Sequence, residues 1–144
     1  MPAPSREEGS PAALPWPGPA TWAAVAAGGA LGTEARYALL LLFPPTLSSF
    51  DWATLGINTA ASLALGWLTG RWLSRPLPAW ARAGLGPGLL GGFSTFSALA
   101  LSLDRILAGG RPLEAAAYLA ASLVLGLGAA AAGLFLGARR RPGR

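Results

Sequence analysis

The chain has 144 residues, 53% of them hydrophobic and only 12% charged, and its mean hydropathy is +0.47, the composition of one membrane-protein domain. It contains no Cys and no His, which excludes disulfides, thiolate chemistry and the usual nucleophile–base constellations, so no enzyme is expected. The net charge of +5 reflects 11 basic residues against 6 acidic ones; the basic residues are all arginine and, Arg36 apart, lie at the ends of apolar segments, where they act as topology signals and not as a nucleic-acid face.

Residues 1–19 are rich in Pro, Ala, Gly and Glu without periodicity and read as a disordered N-terminal tail. An apolar domain of four expected transmembrane helices then runs over 20–138, followed by a basic tail at 139–144. The first expected span, Ala20 to Phe43, is long enough for a hydrocarbon core about 30 Å thick, and Pro44 and Pro45 stop it. Its Gly28-Gly29-Ala30-Leu31-Gly32 stretch lets a neighbouring helix approach closely. Glu34 and Arg36 lie inside the same segment, where charge is costly and therefore paired, functional, or snorkelling to a nearby interface.

The second expected span, Trp52 to Trp72, carries Thr54, Asn58 and Ser62 at four-residue spacing, hence on one face. Such a stripe should face protein or water, and the Asn58 amide can donate to an anion or bond a neighbouring helix. Arg71, Arg75 and Arg82, with Pro76 and Pro78, form a basic loop. The third span, Arg82 to Leu107, ends at Asp104 and Arg105, and Gly109-Gly110-Arg111-Pro112 is a turn. The fourth, Leu113 to Leu136, aligns Tyr118, Ser122 and Gly126 on one face; Tyr118 is equally suited to an interfacial aromatic belt.

Inside the third span stands Gly91-Gly92-Phe93-Ser94-Thr95-Phe96-Ser97. Glycine costs about 1 kcal/mol against alanine in a helix interior, and Ser and Thr offer the backbone competing bonds, so a break over Gly91–Thr95 is expected. Broken backbone survives in a bilayer only where it is buried in protein or lines a watery cavity. Its carbonyls can coordinate a small cation, and its N–H groups and hydroxyls can hold an anion. Close helix packing through small residues accounts for the same composition without any ligand.

This stretch resembles the Gly-Gly-x-Thr-Thr-Phe-Ser-Thr-Phe signature of the CrcB/Fluc fluoride channels. Gly28 to Tyr37 is similar to the Gly-rich, Arg-Tyr-ending part of that family's first helix, Thr54-Leu55-Gly56-Ile57-Asn58 to its Thr-Leu-x-x-Asn pattern, and Tyr118 with Ser122 to the polar track of its last helix. The resemblance implies an all-α membrane protein of four transmembrane helices acting as an antiparallel dimer in a bacterial cell membrane. It implies passive fluoride efflux, with a structural, non-transported Na+ held by the Gly91 and Ser94 carbonyls of each subunit. Asn58, Thr95, Phe96, Ser97, Tyr118 and Ser122 would then line the anion path, and Arg36 would be a structural charge. Leu99 stands where the motif has its second Phe, and Ala98 where it has Thr.

Four spans put Arg6, Arg71, Arg75, Arg82, Arg139, Arg140, Arg141 and Arg144 on one side and only Arg105 and Arg111 on the other. Arginine excess marks the cytoplasmic face, so both termini are expected there. A dual-topology homodimer needs a nearly even count; this bias favours a heterodimer with an oppositely oriented four-helix subunit. The competing readings are a proton-coupled small multidrug transporter using Glu34 and a non-transporting membrane assembly subunit.

Overall fold

A computed structural model describes residues 16–44 and 50–139. Most of the tail expected over 1–19, and all of the C-terminal tail except Arg139, lie outside the described residues. Among the described residues the chain is helical throughout, with no strand. It forms four long segments: α1 (Pro19–Leu42), α2 (Trp52–Ser74), a composite third segment and a final helix. The composite joins α3 (Ala79–Ala83), a π-helical turn (Gly84–Leu90), α4 (Gly91–Phe93) and α5 (Phe96–Ala108); the final helix is α6 (Pro112–Arg139).

Local chemistry explains these boundaries. Pro19 opens α1, where a missing N–H costs nothing. Asp51 caps α2, its side chain accepting the Thr54 N–H at 3.0 Å. The π-helical turn coincides with Pro87, which has no N–H to donate and whose ring crowds the preceding turn. Widening the coil relieves both problems, and the Gly91 N–H reaches back five residues to the Gly86 carbonyl.

The segments Ala79–Ala108 and Pro112–Arg139, 30 and 28 residues long, are apolar enough and long enough to cross a membrane. At 24 and 23 residues, α1 and α2 also reach across a core about 30 Å thick. Their Gly, Thr, Asn and Ser residues, with Glu34 and Arg36, dilute the apolar content of these two helices.

Two glycine-lined interfaces hold the segments together. In a bilayer, apolar burial between helices gains little over lipid, so close packing and interhelical bonds decide association. A Cβ at Gly28 would land on the Gly84 carbonyl, and one at Gly32 on that of Leu89. The second interface is reciprocal. Cβ atoms at Gly66 and Gly70 would strike the Ala130 and Leu134 carbonyls, and Cβ atoms at Gly133 and Gly137 those of Leu63 and Trp67. In both interfaces the residue numbers rise together. Thus α1 runs parallel to the third segment and α2 parallel to α6, as alternating spans require.

A small core joins the pairs: Leu55 of α2, Leu99 and Ile106 of α5, and Ala115 and Tyr118 of α6. Arg71, Arg75, Arg82 and Arg139 all fall near the end of the bundle where α2 and α6 finish and the third segment starts. The Arg71 guanidinium lies over the Trp67 ring at 5.3 Å and that of Arg139 over Phe135 at 3.6 Å.

Candidate functional site

Between α4 and α5 the chain leaves the helix for two residues. Ser94 (φ −76°, ψ 160°) and Thr95 (φ −151°, ψ 120°) are extended, whereas Gly91, Gly92 and Phe93 are helical. Gly91 has ordinary right-handed backbone angles (φ −66°, ψ −37°), and Gly110 is the one positive-φ glycine among the described residues. The break expected over Gly91–Thr95 is therefore confined to Ser94 and Thr95, and Gly92 serves close approach within a helix. A Cβ on Gly92 would press into the Gly29 backbone, while one on Gly91 would meet nothing closer than 3.9 Å.

Side chains take over the bonds that the helix gives up. Asn58 Oδ1 accepts the Thr95 N–H at 2.8 Å, and Asn58 Nδ2 donates to the Thr95 carbonyl at 2.9 Å. The Thr95 hydroxyl accepts the Ala98 N–H at 3.2 Å, capping α5, and lies 3.0 Å from the Ser97 hydroxyl. In an unbroken helix the Thr95 N–H would serve the Gly91 carbonyl, and the Ala98 N–H that of Ser94. Both donors are spent elsewhere, so both carbonyls lack their helical partners. A cavity of about 370 Å³ adjoins them, lined in part by Ser62, Pro87, Gly91 and Ser94. Neutral oxygens free of hydrogen-bond donors are a donor set that a hard monovalent cation accepts.

The predicted path residues fall into two groups. Asn58, Thr95, Phe96 and Ser97 meet at the break, where Thr95 is buried, Asn58 half-buried, and Phe96 stands 79% exposed. Asn58 keeps one amide N–H beyond the bond to Thr95, since a primary amide has two. Tyr118 and Ser122 lie apart. Tyr118 is fully buried and its hydroxyl donates to the Asp51 carbonyl at 3.2 Å, two turns of α2 from Asn58; Ser122 donates to the Tyr118 carbonyl at 2.8 Å. Arg36 is half-buried and Glu34 exposed, and neither forms an ion pair with a described residue.

Two polar residues were not singled out from the sequence. Asp51, 5% exposed, accepts the Ser102 hydroxyl on Oδ2 at 3.1 Å, and Ser102 is itself buried. An Asp immediately before an apolar run is an N-cap signal, so half of this pair was available to sequence reasoning. Ser102 carried none.

Helices long enough to cross a bilayer, glycine-packed pairs and an oxygen-lined interruption define an integral membrane protein whose third segment is broken at Ser94 and Thr95. The profile of the family described as "CrcB-like protein, Camphor Resistance (CrcB)" matches residues 23–134, and the chain belongs to that family. It is 43% identical over 113 residues to the fluoride-specific ion channel FluC of Nitrobacter winogradskyi, covering 77% of this chain and 90% of that one. It is 44% identical over 118 residues to the FluC of Azotobacter vinelandii, covering 78% and 93%. It is 42% identical over 106 residues to FluC 1 of Mycobacterium bovis, covering 73% and 80%. The family is one of ion channels and not of enzymes.

Proposed function

We propose that this chain is a subunit of a fluoride-specific channel that lets fluoride leave the cell passively. Hydrogen fluoride enters as a neutral acid and ionises in the more alkaline cytoplasm, and the anion then departs down its gradient. The observation that carries the reading is the break itself: the Gly91 and Ser94 carbonyls, stripped of helical donors, lie next to the hydroxyls of Thr95 and Ser97 and an exposed Phe96. The relatives' names supply the ion.

Two subunits pack antiparallel in this reading, and the Gly91 and Ser94 carbonyls of both would together hold a single central Na+. When bound, the cation supplies a fixed positive charge beside the anion path. The chain's own residues do the rest. Fluoride is small and strongly hydrated, so its path must replace water with many donors. The spare Asn58 N–H, the Thr95 and Ser97 hydroxyls and the electropositive edge of Phe96 provide them. Tyr118 and Ser122 would border the path beyond the break, with their hydroxyl hydrogens engaged by the Asp51 and Tyr118 carbonyls.

The protein sits in the cell membrane with both termini cytoplasmic and its arginine-rich end inward. That bias favours a heterodimer with an oppositely oriented subunit. The numbered name of the relative FluC 1 is in keeping with paired subunits. Leu99 gives no further support, because it is 9% exposed within its own chain and leaves no place for a partner's ring. Drug–proton exchange through Glu34 is set aside by family membership.

Reconstitution in liposomes tests the reading. Fluoride efflux without chloride efflux is the expected result, and liposomes tight to fluoride, with or without a co-expressed partner, would overturn it. Flux from the chain alone would remove the need for a second subunit type. Paired reporters at the C-terminus check orientation, the cytoplasm-active one alone giving signal.

A further inference from the structure

The helix α5 is pinned to α2 at two levels with matched spacing. Thr95, at the N-cap of α5, is held by Asn58. Seven residues on, Ser102 donates to Asp51, which lies seven residues before Asn58. Seven residues make two helical turns, so the rungs match in height on two antiparallel elements. Asp51 is not free to move, because its other carboxylate oxygen caps α2 and its carbonyl takes the Tyr118 hydroxyl. All three side chains of the second rung are buried: Asp51 5%, Ser102 6% and Tyr118 0% exposed.

Position along α5 gives the rung its meaning. The buried face of α5 consists of Leu99, Ser102 and Ile106, two apolar contacts on either side of one hydroxyl. Leucine and isoleucine tolerate sliding and rotation against an apolar neighbour, whereas a hydroxyl bound to one carboxylate oxygen does not. Turning or shifting α5 by one residue would leave a buried carboxylate short of a donor, which is strongly unfavourable. No arginine pairs with Asp51 among the described residues, so Ser102 and the Thr54 N–H are the donors its side chain has there.

We infer that Asp51 and Ser102 form a positioning pair that fixes the rotation and height of α5, and through them the presentation of Phe96 and of the Thr95–Ser97 hydroxyls at the break. The inference rests on the channel reading for its functional consequence, though not for its structural one. Neither residue touches the ion in this account; each acts through α5.

The test uses the full chain with its partner, if it requires one, in four forms: parent, Ser102→Ala, Asp51→Asn, and the exchange Asp51→Ser with Ser102→Asp. Ser102→Ala removes one hydroxyl and leaves the cap on α2 intact, so the fold is kept. It is expected to raise amide hydrogen exchange across residues 98–108 and to lower fluoride-over-chloride selectivity about tenfold. Asp51→Asn keeps an oxygen for the cap and an amide for Ser102, and the exchange restores a bond between the two elements. Both should behave within about threefold of the parent. Exchange and selectivity in Ser102→Ala equal to those of the parent would overturn the inference, as would an exchange variant no better than Ser102→Ala. A parent with no fluoride flux would sink the channel reading alone, since the hydrogen-exchange comparison still decides whether the pair positions α5.

Discussion

Asn58 holds Thr95 by both backbone groups at once, accepting its N–H at 2.8 Å and donating to its carbonyl at 2.9 Å. The amide stands where a neighbouring strand would stand, and it stabilises an extended residue between two helices. Asn58→Ala leaves a buried N–H and carbonyl without partners, at a cost of about 1–3 kcal/mol for each group left unmet. The expected outcome is a lower melting temperature in detergent together with loss of fluoride flux. Asn58→Asp should be nearly as harmful, because a carboxylate accepts the N–H but faces the Thr95 carbonyl with no donor. A melting temperature equal to the parent's in both variants would contradict this role.

The glycines divide into those that meet a neighbouring backbone and those that face open space. Gly133→Ala drives a methyl into the Leu63 carbonyl, whereas nothing lies within 4 Å of a Cβ on Gly128. Overpacking of that kind costs about 1–3 kcal/mol. Thermal denaturation of the two alanine variants should therefore show a clear loss for position 133 and none for 128, and equal melting curves would speak against the α2–α6 interface.

Gly91 and Gly92 are adjacent, and they should respond differently. Gly92→Ala presses on the Gly29 backbone and forces α1 away, while Gly91→Ala has room and keeps a right-handed helical residue. Size-exclusion and melting experiments should find Gly91→Ala close to the parent and Gly92→Ala weakened by about 1–3 kcal/mol. Because alanine retains the carbonyl at position 91, its fluoride flux should persist. Loss of flux in a stable Gly91→Ala protein would mean that the site needs more than a backbone oxygen.

Phe96 is 79% exposed, so it contributes little to the fold of its own chain. Phe96→Ile removes the electropositive ring edge and keeps much of the volume. Fluoride flux is expected to fall at least about tenfold, roughly one hydrogen-bond equivalent of about 1.4 kcal/mol, with melting temperature and assembly unchanged. Parent-like flux would show that the ring does no more than pack.

Much of this arrangement was legible in the residues. Pro44 and Pro45, the Pro76 and Pro78 loop and the Gly109-Gly110-Arg111-Pro112 turn mark segment ends within a few positions. The Ser94–Thr95 interruption was signalled by hydroxyls and glycines in an apolar run. Its extent was not, because Gly91 and Gly92 both sit in helix, and Gly92 serves the close approach of α1 instead. The π-helical turn at Gly84–Leu90 was missed for a related reason: Pro87 announces a disturbance but not whether the helix kinks, ends or widens. Tyr118 shows the limit of face-counting. Its spacing with Ser122 is that of a polar track, yet its partner is Asp51, 67 residues away in sequence, and no period in either helix reports that bond.

The order of pairing has a consequence for how the chain is made. Each helix finds its glycine-matched neighbour two segments later and not in the next one, so α2 enters the membrane long before α6 exists. At a synthesis rate of about 5–20 residues per second, Gly66 and Gly70 wait several seconds for Gly133 and Gly137 to leave the ribosome. During that interval the groove on α2 is filled by lipid, and the buried carboxylate of Asp51 has no Tyr118 beside it. Nascent chains stalled before α6 should accordingly be the forms most readily captured by membrane proteases, and completion of the last helix is the step that makes the subunit durable.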